Sequence, residues 1–218
     1  LGSIELNTGN KQQALSLLTK ATESDPLLAP AWGNLANGYV QIGKIQEAEI
    51  ACRKSVELSP NLFNSHFLLS EILIKQKKLK EAEAPLRKTI ALNPDFSQAH
   101  LNLGAVLKDL GKTEEAEISI RKSIELQPNF AQAHSNLGNL LRELGKLKEA
   151  EISTRKAIEI NPNIAEAHSN LGNILQDICN LKEAEISYLK AIEINPDLAE
   201  AHSNLGTILR DLGNLKEA

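Results

Sequence analysis

One spacing governs this chain. Pro26, Pro60, Pro94, Pro128, Pro162 and Pro196 lie 34 residues apart without a slip. His66, His100, His134, His168 and His202 keep the same interval, and Trp32 fills the corresponding slot one period earlier. Two further series follow it: Leu1, Leu35, Leu69, Leu103, Leu137, Leu171 and Leu205, and Ala14, Ala48, Ala82, Ala116, Ala150, Ala184 and Ala218. A fixed period of this size marks a solenoid, in which each unit buries its apolar face only against its neighbours. The expected organisation is a single array over 1–218. A partial unit spans 1–28, full units span 29–62, 63–96, 97–130, 131–164 and 165–198, and a partial unit spans 199–218.

The unit 131–164 shows what each repeat folds into. In AQAHSNLGNLLREL, Ala133, Leu137, Leu140, Leu141 and Leu144 recur at three- and four-residue steps and make one apolar helical face. Gly145 follows, where a helix end favours a residue free to take positive φ. In KLKEAEISTRKAIEI the apolar stripe is Leu147, Ala150, Ile158 and Ile160. Asn161-Pro162-Asn163 ends that segment, because the residue before proline is pushed out of the helical region. The unit reads as helix, tight turn, helix, turn. Gly138 and Ala150 are small enough to let the two helices approach closely. Glu49–Arg53, Glu83–Arg87, Glu117–Arg121 and Glu151–Arg155 stand four apart on the second helix and mark a solvated outer face.

These residues resemble the tetratricopeptide repeat, with its Trp-x2-Leu-Gly-x2-Tyr, Ala and Pro signature. Trp32, Leu35, Tyr39, Ala48 and Pro60 match it within 29–62, with Ala36 in place of the glycine. The later AHSNLG runs at Ala167–Gly172 and Ala201–Gly206 are similar to repeats of O-linked N-acetylglucosamine transferases and of bacterial multi-repeat proteins. The resemblance implies an all-α, right-handed αα-superhelix of antiparallel helix pairs. It also implies a protein-interaction scaffold whose first helices line a concave, peptide-holding groove. The alternative it leaves open is the substrate-recruiting arm of a larger enzyme, such as a glycosyltransferase, with the catalytic part elsewhere.

The candidate binding residues follow from that groove. Asn34, Asn102, Asn136, Asn170 and Asn204 hold the sixth place of their units, and Asn37, Asn139 and Asn173 the ninth. An amide side chain both donates and accepts, so it can pair with a peptide backbone whatever the peptide's sequence. The competing reading is that asparagine is merely common at these places. Phe67 and Ile74, with Val40 and Leu101, would form an apolar patch; alternatively, Phe63 and Phe67 repack and are buried. Lys108, Arg142 and Arg210 at the twelfth place, beside Asp109, Glu143, Asp177 and Asp211, would make a charged stretch. Unit 63–96 departs most from the pattern. Leu68 and Glu71 replace the asparagines, Lys77 the turn glycine, and Pro85 within the second helix is expected to kink it.

Relatives that grip chaperone C-terminal tails carry a lysine at the fifth place. Here that place holds Gly33, Phe67, Leu101, Ser135, Ser169 and Ser203, so chaperone tails fit poorly.

Other chemistry is not expected. Histidines set one per repeat on helices about 8–10 Å apart cannot share a zinc ion that needs ligands near about 2 Å, so they read as packing residues. There is no phosphate loop, zinc spacing or nucleophile elbow, so neither an enzyme nor a cofactor is expected. The net charge of −4 argues against nucleic acid and anionic membranes. No apolar run approaches the ~20 residues of a membrane span, and no signal-peptide pattern appears. Cys52 and Cys179 occupy different repeats and places and are not expected to pair, which suits a reduced, cytoplasmic setting. The chain has no methionine and starts and stops in mid-repeat, so it reads as a fragment of a longer protein. Cut ends would expose apolar helix faces and invite end-to-end self-association.

Overall fold

The structure is a computed structural model and describes residues 11–213. The expectations placed on Leu1, Gly2 and Ala218 lie outside the described residues. Twelve helices and no strand occur among the described residues. They are α1 (Lys11–Ser24), α2 (Ala29–Gln41), α3 (Ile45–Leu58), α4 (Phe63–Lys75), α5 (Leu79–Leu92) and α6 (Ser97–Asp109), followed by α7 (Thr113–Leu126), α8 (Ala131–Glu143), α9 (Leu147–Ile160), α10 (Ala165–Asp177), α11 (Leu181–Ile194) and α12 (Ala199–Asp211). The fold class is all-α, built of antiparallel helix pairs. The chain forms two compact units, 1–111 with α1–α6 and 112–218 with α7–α12.

The first helix of each pair ends in a tight reversal. At Gly145 (φ 72°), the Gly145 N–H donates to Arg142 O and the Lys146 N–H to Leu141 O, both at 2.9 Å. This is a Schellman ending, which needs a left-handed residue. Lys77 (φ 60°) and Cys179 (φ 63°) occupy the same place with the same bonds, so two side-chain-bearing residues are held where glycine is favoured. The second helices end just before an X–Pro step, at Ser59, Asn93, Gln127, Asn161 and Asn195. Asn161 Oδ1 accepts the Asn163 N–H at 3.1 Å, and Asn195 Oδ1 accepts that of Asp197 at 3.2 Å.

The histidines do more than pack. Nε2 of His66, His100, His134, His168 and His202 lies 2.8–3.0 Å from the carbonyl oxygen of the proline six residues earlier. Trp32 Nε1 donates to Pro26 O at 2.9 Å. A carbonyl oxygen only accepts, so each histidine donates through Nε2 as the tryptophan does. The slot selects a ring with an N–H at that reach, not merely a flat apolar body.

Each core sets leucines and isoleucines of the first helices against mostly small residues of the second, with one larger side chain such as Leu86, Ile120 or Tyr188 on some of them. On α9 the buried stripe is Ala150, Thr154 and Ala157, while Leu147, Ile158 and Ile160 are only half-buried. In the pair α10/α11 the Tyr188 ring is fully buried against Gly172, where an added Cβ would sit 2.6 Å from it. Pro85 does not interrupt α5, which runs the same 14 residues as α9 and α11. Thr89 Oγ1 donates to Pro85 O at 2.9 Å within that helix. α5 is therefore continuous through Pro85, even though proline removes one N–H from the ladder in the body of the helix.

Candidate functional site

The first helices carry the candidate residues, and each unit is described by itself. In unit 1, Asn34 and Asn37 are exposed on α2. They border a recess of about 320 Å3 between α2 and α4, together with Gly33, Asn64 and Leu68. Asn102 is half-buried on α6 and accepts from Gln98 Nε2 at 2.8 Å. It borders a smaller recess of about 220 Å3 with Ile74, Glu71 and Val106. Burial pushes the Glu71 carboxyl above its ordinary range, against the opposing pull of Lys75. Lys108 is half-buried on α6, and Leu101 is buried.

Phe67 is turned toward its aromatic neighbours. Its ring meets Phe96 edge-on with centroids 4.7 Å apart, and Phe63 meets Phe96 at 6.1 Å. All three rings are half-buried. The phenylalanines thus pack against one another but remain half-buried, so they form neither a fully buried cluster nor an open apolar patch. Ile74 stays at the edge of its recess.

In unit 2 the polar residues converge more closely. Asn136, Asn139 and Asn170 border one recess of about 240 Å3 among α8, α10 and α12, with Ser135 and Ser169 beneath them. Gln132 Nε2 donates to Asn136 Oδ1 at 2.9 Å, and Asn170 Nδ2 donates to Ser135 Oγ at 3.4 Å. Arg142 is tied to Asp177, one repeat on, at 2.6 Å and is not a free cation.

Asn173 departs from the expected groove ladder. It is 6% exposed and sits inside a polar network. Its Oδ1 accepts from Tyr188 Oη at 2.7 Å and from Asn204 Nδ2 at 2.8 Å, while its Nδ2 donates to Glu200 at 3.2 Å. Burial, the larger cause, pushes the Tyr188 phenol up to about 12, so it remains a donor. The sequence signal was Tyr188 itself, at the place held elsewhere by Cys52, Leu86, Ile120 and Thr154. A buried hydroxyl seeks a partner, and the ninth-place amide of the same pair supplies it.

The opposite face is a charge ladder. Arg53 bonds Glu49 on its own helix and Glu81 of the next repeat, and Lys78 reaches back to Glu49 at 2.7 Å. Arg121, Glu117, Glu149 and Lys146 repeat the pattern, and Arg155 joins Glu151 to Glu183. Lys78 first, then Arg53, hold the Glu49 carboxyl down at about 2. Lys146 chiefly, with Arg121, lowers Glu117. The sequence showed the pairs within one helix but not those that join repeats. Between these charges Ile50, Ile118, Ile152 and Ile186 are 65–70% exposed.

Among the described residues no group of three or more His, Cys, Asp or Glu could hold a metal ion, and no helix is long and apolar enough to cross a membrane. Both cysteines are free. Cys52 is buried, with its thiol pushed up to about 12 by burial, and Cys179 is exposed.

The tetratricopeptide repeat pattern matches 29–62, 63–96, 97–130, 131–164, 165–198 and 187–218. The chain belongs to the tetratricopeptide repeat family. Such arrays are protein–protein interaction scaffolds, and the family is typically non-catalytic. Among solved structures the chain is similar to YrrB, a TPR protein with an unusual peptide-binding site. That match has 25% identity and a TM-score of 0.70, over 85% of this chain and 96% of that one. It is also similar to pilF of Pseudomonas aeruginosa, with 20% identity and a TM-score of 0.75 over 87% and 86% of the two chains. A chain of the APC/C hetero-tetramer Cut9–Hcn1 aligns at 19% identity and a TM-score of 0.78, over 94% of this chain and 41% of that one. These last two show the fold alone. No curated protein matches the sequence.

Proposed function

We propose that the first helices hold an extended segment of a partner protein, and that the unit 2 recess is the principal grip. The observation that carries this reading is the convergence of Asn136, Asn139 and Asn170 on one recess with Ser135 and Ser169. Side-chain amides there can pair with a peptide backbone in both directions, which favours an extended chain over a folded surface. The similarity to YrrB supports the same reading. Unit 1 offers amides of its own at Asn34 and Asn37, and an apolar contact at Ile74. Within each compact unit the repeats would act together as a binding surface. The ligand is protein rather than nucleic acid, because the net charge is −4. The free thiols suit a reducing compartment such as the cytoplasm.

The test is a peptide selected from a displayed library on the intact chain, labelled and titrated by fluorescence anisotropy. Replacing Asn136, Asn139 and Asn170 with alanine together should weaken it by about tenfold or more, at roughly 1 kcal/mol per lost hydrogen bond. Far-ultraviolet circular dichroism should not change. An unaltered affinity in the triple variant sinks the amide grip.

A further inference from the structure

The groove edge changes chemistry along the chain at one repeat position. The second place of successive units reads Pro30, Asn64, Gln98, Gln132, Glu166 and Glu200. Only the last two are acidic, and both border the unit 2 recess. No lysine or arginine borders it. Arg142, the cation nearest in sequence on α8, is already neutralised by Asp177 at 2.6 Å. Glu166 forms no ion pair among the described residues.

Two further features make this more than a pair of surface carboxylates. Glu200 is oriented from inside the fold. Asn173 donates to it at 3.2 Å, and Asn173 is itself fixed by Tyr188 and Asn204. Beneath the rim, Ser169 is 3% exposed and its Oγ has no hydrogen-bond partner. A buried hydroxyl left unpaired is costly unless something entering the recess completes it. Ser135, 1% exposed, lies beside it.

We infer that this recess takes a basic side chain, a lysine ammonium or an arginine guanidinium, from the bound peptide. Both groups carry only donors, and the recess offers two carboxylates and the Ser169 hydroxyl oxygen as acceptors. An acidic side chain would meet two like charges and be turned away. The inference rests on the groove reading and adds to it the chemistry of the occupant. Tyr188 and Asn173 are positioning residues for Glu200.

A degenerate displayed peptide library is selected on the intact protein and on E166Q/E200Q. Wild type should enrich lysine or arginine at one peptide position, and the double variant should lose that enrichment. A synthetic wild-type binder with its lysine or arginine changed to glutamine should bind wild type about tenfold more weakly, the scale of a charge-assisted bond. The double variant should not distinguish the two peptides. S169A should narrow the difference while its circular dichroism stays at the wild-type value and its melting midpoint does not fall. A basic preference that persists in E166Q/E200Q overturns the inference. So does a wild-type pool without basic residues; if that pool still depends on Asn136, Asn139 and Asn170, the groove reading stands alone. A library that yields no binder removes both.

Discussion

The pairs α4/α5 and α10/α11 occupy equivalent places in their repeats and use their aromatic residues differently. In α10/α11 one tyrosine fills the interior over Gly172, and its hydroxyl runs through Asn173 to Glu200 at the groove edge. In α4/α5 the same slots hold Ser70 and Leu86, both buried. Ser70 Oγ turns back to Phe67 O at 2.6 Å, and the rings move out to Phe63, Phe67 and Phe96. One repeat therefore links its core to a polar groove, and the other closes its core and stacks rings beside it. A shared backbone permits both, because the period sets where helices meet and the twenty-fourth place sets what fills the gap.

Removing the linking residue should have the largest effect. Tyr188→Ala should destabilise unit 2 by about 3–5 kcal/mol in a urea titration, as for other buried aromatics. The cost to α4/α5 from Phe67→Ala should be smaller, since that ring is only half-buried. Equal losses would erase the contrast. Gly172→Ala should follow at about 1–3 kcal/mol, because the ring 2.6 Å away must shift against a packed helix.

The tight reversals give a change of opposite sign. Lys77→Gly in α4/α5 and Cys179→Gly in α10/α11 should each stabilise by about 0.5–1 kcal/mol. This is the left-handed penalty of ~1–2 kcal/mol less the entropy glycine adds to the unfolded chain. The same substitution acting in both pairs would show that the turn is independent of the core it closes. The smallest effect concerns the outer ladder in unit 1. The Glu49 carboxyl is depressed from 4.5 to about 2, so its contribution is present above pH 4.5 and is lost as pH falls toward 2. Glu49→Gln should flatten the stability profile in that window. The loss should stay under about 1 kcal/mol, because Arg53 and Lys78 are 48% and 42% exposed.

The period made the helices and their reversals legible, because hydrophobic spacing, proline and glycine act locally. The helix pair read at 131–164 appears as Ala131–Glu143 and Leu147–Ile160. The site was legible only in part. Asn136, Asn139 and Asn170 converge on a recess, whereas Asn173 is internal. The same letter at the same place differs because Tyr188, fifteen residues on, captures one amide. Phe67 and the bonds that tie Arg53 to Glu81 were hidden for the same reason: each partner lies about one repeat away, beyond any local window.

The bond from each ring nitrogen to the preceding proline carbonyl has a consequence for acid tolerance. Nε2 already carries a hydrogen in the neutral imidazole, so an added proton goes to Nδ1, and the donor facing the carbonyl is unchanged. Trp32 makes the same bond with a ring that never takes on charge. These joints are thus built on a contact that imidazole protonation does not remove. Histidine serves here as a smaller stand-in for an indole.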